Sequence, residues 1–93
     1  MHSGVLYMDN GMDREIGWEL RSMRLEAGIT QQKLAAAIGK PQSYVSKVEG
    51  AKRDLHLSEI ADYADALGIE VDEFMRRINT CIKNYRRQAA SHQ

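Results

Sequence analysis

The chain has one cysteine and one proline in 93 residues, and few aromatic residues. With Cys81 alone no intrachain disulfide can form, which fits a reducing cytoplasm. No apolar run approaches the roughly 18 residues that a membrane-crossing helix needs. The first ten residues, M-H-S-G-V-L-Y-M-D-N, lack both a basic start and a long apolar stretch, so they do not read as a signal peptide. Catalytic and metal signatures are missing too. His2, His56 and His92 are scattered, none at ligand spacing with Cys81 or with a pair of acids. There is no glycine-rich phosphate loop, no nucleophile elbow, and no carboxylate pair outside ordinary helix surfaces. The chemistry on offer is binding, with no metal, no cofactor and no enzyme expected.

What is present suffices for one domain. A hydrophobic content of 43% supports one compact core in a chain of this length, near the lower end of what folds alone without staples. With one proline and few clusters of β-branched residues, the expected fold is all-α.

The net charge is zero, but its distribution is uneven. Residues 1–26 carry a net −2. Residues 27–53 carry Lys33, Lys40, Lys47, Lys52 and Arg53 against Glu49 alone, a net +4. Residues 54–73 hold seven acids and no lysine or arginine, and residues 74–93 hold five basic residues and no acid. Such blocks suit a protein that presents one face to phosphate and keeps another away from it.

Periodicity predicts five helices after an irregular arm over residues 1–12. The first begins at Asp13 and carries its apolar stripe on Ile16, Leu20 and Met23, with Gly28 as its stop. Trp18 lies off that stripe, either exposed or covered by Val5, Leu6 and Tyr7 folding back. Thr30 is suited to cap the second helix, whose inner face is Leu34, Ala35 and Ile38 and whose end is Gly39. Pro41 suits the first turn of the third helix, where a missing N–H is no loss. Val45 and Val48 point inward there, leaving Gln42, Ser43, Tyr44, Ser46 and Lys47 mostly outward. Gly50 closes this helix. A fourth runs from Leu57 to Leu67, with Leu57, Ile60, Ala61, Ala64 and Leu67 on one face and Gly68 as stop. A fifth starts near Glu70 or Val71 and carries Val71, Phe74, Ile78, Cys81 and Tyr85 as a short heptad seam flanked by Met75 and Ile82. The tail from Gln88 is expected to fray. This divides the chain into an arm (1–12), a domain (13–78) and a helical extension with its tail (79–93).

Two short helices joined by a tight turn at Gly39, the second with a polar outer face, form the layout of a helix-turn-helix. At this point the chain resembles a known family, the Cro and phage-repressor type, also called XRE-type or lambda-repressor-like. The resemblance spans roughly Ile16 to Met75. It rests on R-x-x-x-G-I-T-Q from Arg24, L-A from Leu34, I-G at Ile38, P-Q-S-Y-V-S-K-V-E from Pro41 and A-D-A-L-G from Ala64. It implies that the third helix lies in the major groove of duplex DNA, with Gln42, Ser43, Ser46 and Lys47 facing bases and Gln42 able to bond both adenine N6 and N7. It implies phosphate contacts from Thr30, Gln31, Gln32, Tyr44, Lys52 and Arg53. It also implies an ion pair between Arg24 and Glu49 that ties the first helix to the end of the third. One departure stands out. The family usually places glycine two residues past this glutamate, whereas here Gly50 follows at once and Ala51 comes next, so the loop is expected to diverge and the roles of Lys52 and Arg53 with it.

These features together predict a sequence-specific DNA-binding regulator of transcription, expected to repress. It would act as a homodimer on a pseudo-palindromic operator, with Phe74, Ile78, Cys81, Ile82 and Tyr85 at the dimer interface. The size also fits a restriction–modification controller, or an antitoxin whose toxin partner meets the basic segment after Arg76. An interaction module that keeps the fold and binds protein in place of DNA is the alternative from another class; it accounts for the acidic fourth helix and poorly for the acid-free reader.

Overall fold

The computed structural model describes residues 11–91, which form five helices and, among the described residues, no strand. The helices are α1 (Gly11–Glu26), α2 (Gln31–Ala37), α3 (Gln42–Glu49), α4 (Leu57–Leu67) and α5 (Val71–Ser91). Most of the expected arm lies outside the described residues. Its last two positions, Gly11 and Met12, belong to α1, so that helix starts ahead of Asp13. At the other end the expected tail is helical through Ser91, and no break separates a domain ending at residue 78 from an extension.

One device ends four of the five helices. Each closes with a residue in the left-handed conformation, whose N–H and that of the next residue turn back to the last free carbonyls. After α1, Gly28 (φ 74°) donates to Leu25 O and Ile29 to Arg24 O. Gly39 and Lys40 repeat this on Ala36 and Ala35, and Gly68 and Ile69 on Asp65 and Ala64. After α3 the left-handed residue is Ala51 (φ 60°), which donates to Val48 O at 3.2 Å while Lys52 donates to Lys47 O at 2.8 Å. Ala51, one residue after Gly50 and at the position where the family usually has glycine, takes the left-handed conformation itself, with its Cβ held in a conformation that disfavours it.

The other helix starts follow local chemistry. Thr30 Oγ1 accepts from the Lys33 N–H at 3.0 Å, and the His56 N–H at the head of α4 donates to the Glu59 carboxylate at 2.9 Å. Pro41 sits one position earlier than expected, as the extended residue just before α3.

Inward faces meet in one core of Leu20, Met23, Leu34, Val45, Val48, Leu67 and their neighbours. α4 departs from its expected face. Tyr63 is fully buried, its ring tilted against Phe74 with centroids 6.1 Å apart, while Ala61 is exposed and Leu57 is 87% exposed. α1 crosses the end of α3 at Gly17, where a Cβ would collide with the Glu49 carbonyl oxygen.

α5 folds back along α1 in the opposite sense. Arg77 bonds Glu19 and Glu26 of α1, and four residues further on Cys81 lies near Glu19 and Glu15, its thiol pushed up by burial and then by those charges. Of the residues expected at a dimer interface, Phe74 is 2% exposed inside the monomer's own core. Ile78 packs on that core, and Cys81, Ile82 and Tyr85 are half-buried.

Two substitutions test this geometry in opposite directions. Ala51→Gly removes about 1–2 kcal/mol of left-handed strain against a glycine entropy cost of about 0.5–1 kcal/mol, so a gain of up to about 1.5 kcal/mol is expected in urea unfolding with an unchanged slope. Gly17→Ala forces two backbones apart and is expected to lose about 1–3 kcal/mol.

Candidate nucleic-acid interface

Glu49 is 8% exposed and anchors a chain of hydrogen bonds that leads from the core to the surface. Arg24 forks it, Nε to Oε2 at 2.6 Å and Nη2 to Oε1 at 3.1 Å, while Arg24 Nη1 holds the Ile29 carbonyl at 2.9 Å. The bond to Glu49 raises the arginine's pKa further, against the opposing effect of burial. Gln31 Nε2, from the first residue of α2, donates to Glu49 Oε1 at 2.9 Å. Gln42 Nε2, from the first residue of α3, donates in turn to Gln31 Oε1 at 3.3 Å.

The chain has a direction. An ionised carboxylate only accepts, so Gln31 must turn its NH₂ toward Glu49 and its oxygen toward Gln42. Gln42 must then turn its NH₂ toward Gln31. One N–H and the whole amide oxygen of Gln42 stay open to solvent, in a fixed order. That order of donor and acceptor is what adenine N7 and N6 require.

The rest of the α3 outer face is exposed: Ser43, Ser46 and Lys47. Lys33, Lys40 and Lys52 are exposed around it, as are Thr30 and Gln32. Glu49 is the one acid between residues 27 and 53, and it is turned inward and neutralised by Arg24. The surface of α2 and α3 is therefore positive although the chain is neutral, which suits contact with phosphates.

Two residues expected on the phosphate side have other duties. Tyr44 is 6% exposed, and its hydroxyl makes no hydrogen bond. Burial, with the nearby Glu59 carboxylate as the lesser cause, pushes its phenol up to about 12. The Arg53 guanidinium covers the Tyr44 ring at 4.4 Å, forks Glu59 at 3.2 Å to each oxygen, and donates to the Asp54 carbonyl at 2.8 Å. Lys40 stands 5.4 Å from the same ring and 3.9 Å from Glu59. The sequence placed Tyr44 and Arg53 outward; instead the Tyr44 ring is packed beneath the Arg53 guanidinium, and Arg53 ties the α3–α4 loop to α4 through Glu59. Lys52 remains exposed. The links from Gln31 to both Glu49 and Gln42 were not read from the sequence, though three polar residues at helix ends beside a buried carboxylate are the signal that could have found them.

Among the described residues no group of histidine, cysteine and acids could hold a metal, and no helix is long and apolar enough to cross a membrane.

The chain is similar in sequence and fold to known proteins. Residues 20–74 match the helix-turn-helix family. The XRE-family like protein from Pseudomonas syringae pv. tomato is 33% identical, with a TM-score of 0.68 over 84% of this chain and 96% of that one. The restriction-modification controller C.AhdI from Aeromonas hydrophila is 35% identical, with a TM-score of 0.61 over 70% of this chain and 88% of that one. The clp gene regulator ClgR from C. glutamicum is 26% identical, with a TM-score of 0.66 over 74% of this chain and 90% of that one. No protein of curated function matches the sequence significantly.

The corner around Glu59 gives a pH signature. Its bonds to Arg53, opposed by burial, hold its carboxyl at about 2, below the ordinary 4.5. A depressed carboxylate stabilises the fold above its unfolded pKa and loses that contribution as pH falls toward the folded value. Glu59→Gln is therefore expected to lower stability at neutral pH and to flatten its decline between about pH 4.5 and pH 2, as followed by urea midpoints across that window.

Proposed function

The chain belongs to the XRE-type helix-turn-helix family, and on that premise we propose that it is a cytoplasmic, sequence-specific repressor that binds a pseudo-palindromic operator as a homodimer. The observation that carries this is the acid-free outer face of α3, with Gln42 held in a defined orientation at its leading end. In this reading α3 enters the major groove. Gln42 reads an adenine, Lys47 donates to guanine O6 or N7, and Ser43 and Ser46 contact neighbouring bases. Thr30, Gln31, Gln32 and Lys52 set the register on phosphates, which carry affinity but little sequence information. Gln31 has a double duty, since the amide that faces the backbone also fixes Gln42. The protein acts by occupancy and by no reaction of its own.

A second reading within the same class follows from the 35% identity to C.AhdI: control of restriction–modification genes through the same DNA-binding face. The two differ in the genes controlled, not in the chemistry of recognition.

Selection of bound sites from a random duplex pool tests the proposal directly, and is expected to return two half-sites related by a two-fold axis about one helical turn apart. On the selected site Gln42→Ala is expected to cost about 1–3 kcal/mol, with little change on random duplex. Gln31→Met, which abolishes both links, is expected to lose discrimination at the same base pair. Binding should weaken with salt at a log–log slope near −0.9 per phosphate contacted. A protein that binds no duplex, or binds all duplexes alike with and without Gln42, defeats the proposal.

A further inference from the structure

One groove has apolar walls that the core covers only in part. Ile16 of α1, Leu55 of the α3–α4 loop, Ile60 of α4, and Met75 and Ile78 of α5 surround a space of about 460 Å³. Leu20 and Phe74 of the core line it too. Met75 is 42% exposed, and Ile16, Leu55, Ile60 and Ile78 are partly buried. None of the residues proposed above to contact DNA lines this groove. Asp13, two residues into α1, does line it, so the groove begins where the chain enters its first helix. The ten residues before α1 lie outside the described structure, and their sequence contains Val5-Leu6-Tyr7-Met8, an unbroken run of four apolar side chains.

We propose that this run turns back from the start of α1 and docks in the groove of its own chain. Two features argue for this occupant. The first is reach. The stretch of α1 from Gly11 to Gly17, which lines the groove, rises about 9 Å, whereas the chain from Gly11 back to Tyr7 spans up to about 13 Å and back to Val5 about 20 Å. The run therefore covers the groove without any unwinding of α1, and its short tether holds it there at an effective concentration in the millimolar range. The second is chemistry. Apolar side chains leave water on both sides of the contact, and Asp13, Arg53 and Asp54 on the lining offer polar partners to the backbone of an extended segment. Trp18 is the other large apolar side chain within reach, but it lies outside the groove, 60% exposed, with the Arg21 guanidinium 4.9 Å from its ring centre. Because Ala51, Arg53 and Leu55 belong to the lining, the docked run braces the loop that follows α3.

Disulfide trapping in the full chain tests the proposal, with Cys81→Ser in every variant. Leu6→Cys with Met75→Cys puts one thiol on the run and one on the groove wall. Leu6→Cys with Trp18→Cys is the control, a short tether to a position of α1 outside the groove. At micromolar concentration the first pair is expected to close within one chain at least about tenfold faster than the second, read by mass spectrometry of the oxidised protein. Methyl NMR checks the contact without cysteines. Leu6→Asp is expected to shift the signals of Ile16, Ile60 and Ile78 and to leave those of Ile29 and Ile38 in place, with unchanged circular dichroism. Equal closure of the two pairs, or groove methyls indifferent to Leu6→Asp, overturns the proposal. Bonds that form between chains, at a rate rising with concentration, also overturn it and give the groove to a second copy.

Discussion

Glu49 holds the molecule's functional end together. Its carboxylate sits where α1 meets the end of α3, accepts a forked bond from Arg24, and accepts a third bond from the first residue of α2. Three helices are thus tied to two oxygen atoms. A buried ion pair of this kind contributes little net stability, because withdrawing both charges from water costs about what their attraction returns. Its value lies in direction. Because the carboxylate can only accept, it orders the amides of Gln31 and Gln42 in sequence, and a buried charge thereby defines what an exposed side chain presents to its surroundings.

The backbone at the same junction is as constrained as the side chains. α1 reaches the end of α3 only because residue 17 has no side chain. Directly after that contact the chain reverses at Ala51, in a conformation usually left to glycine. The tolerance of an alanine there is intelligible from its surroundings. Lys52 N–H and Ala51 N–H both find carbonyls of α3, and Arg53 is clamped by Glu59 and Tyr44 immediately beyond. The turn is over-determined on both sides, so a local preference of about 1–2 kcal/mol is overridden.

Charge is sorted by the fold rather than by the composition. The one acid of the α2–α3 segment points inward, Glu59 of the acidic stretch neutralises Arg53 and approaches Lys40, and Arg77 is taken up by α1, whose Glu26 carboxyl it holds below the ordinary range. What remains unpaired outside is a positive surface around α3 and a helix, α5, of opposite charge at its two ends. A neutral chain acquires in this way a positive face suited to phosphate.

Much of this was legible in the order of residues. The five helices, their glycine stops, the Thr30 cap, the inward pairs Leu34–Ala35 and Val45–Val48, and the exposed polar face of α3 follow from periodicity and local hydrogen bonding, which act within a few residues and so are written in the sequence. The Arg24–Glu49 pair was legible only through the family resemblance, since 25 residues separate its members. The rest was decided by which helices cross where. A tyrosine at position 44 reads as outward until an arginine and a glutamate from the next loop and helix close over it, and a tyrosine at position 63 reads as polar until it meets Phe74. Leu57 reads as core because its spacing is right, yet the core ends one turn short of it. Phe74 reads as one position of an open seam on α5 until the fold places it in the monomer's own core. Local pattern states which faces are apolar; the distance and angle between helices state which of those faces find a partner, because burial depends on what arrives from elsewhere in the chain.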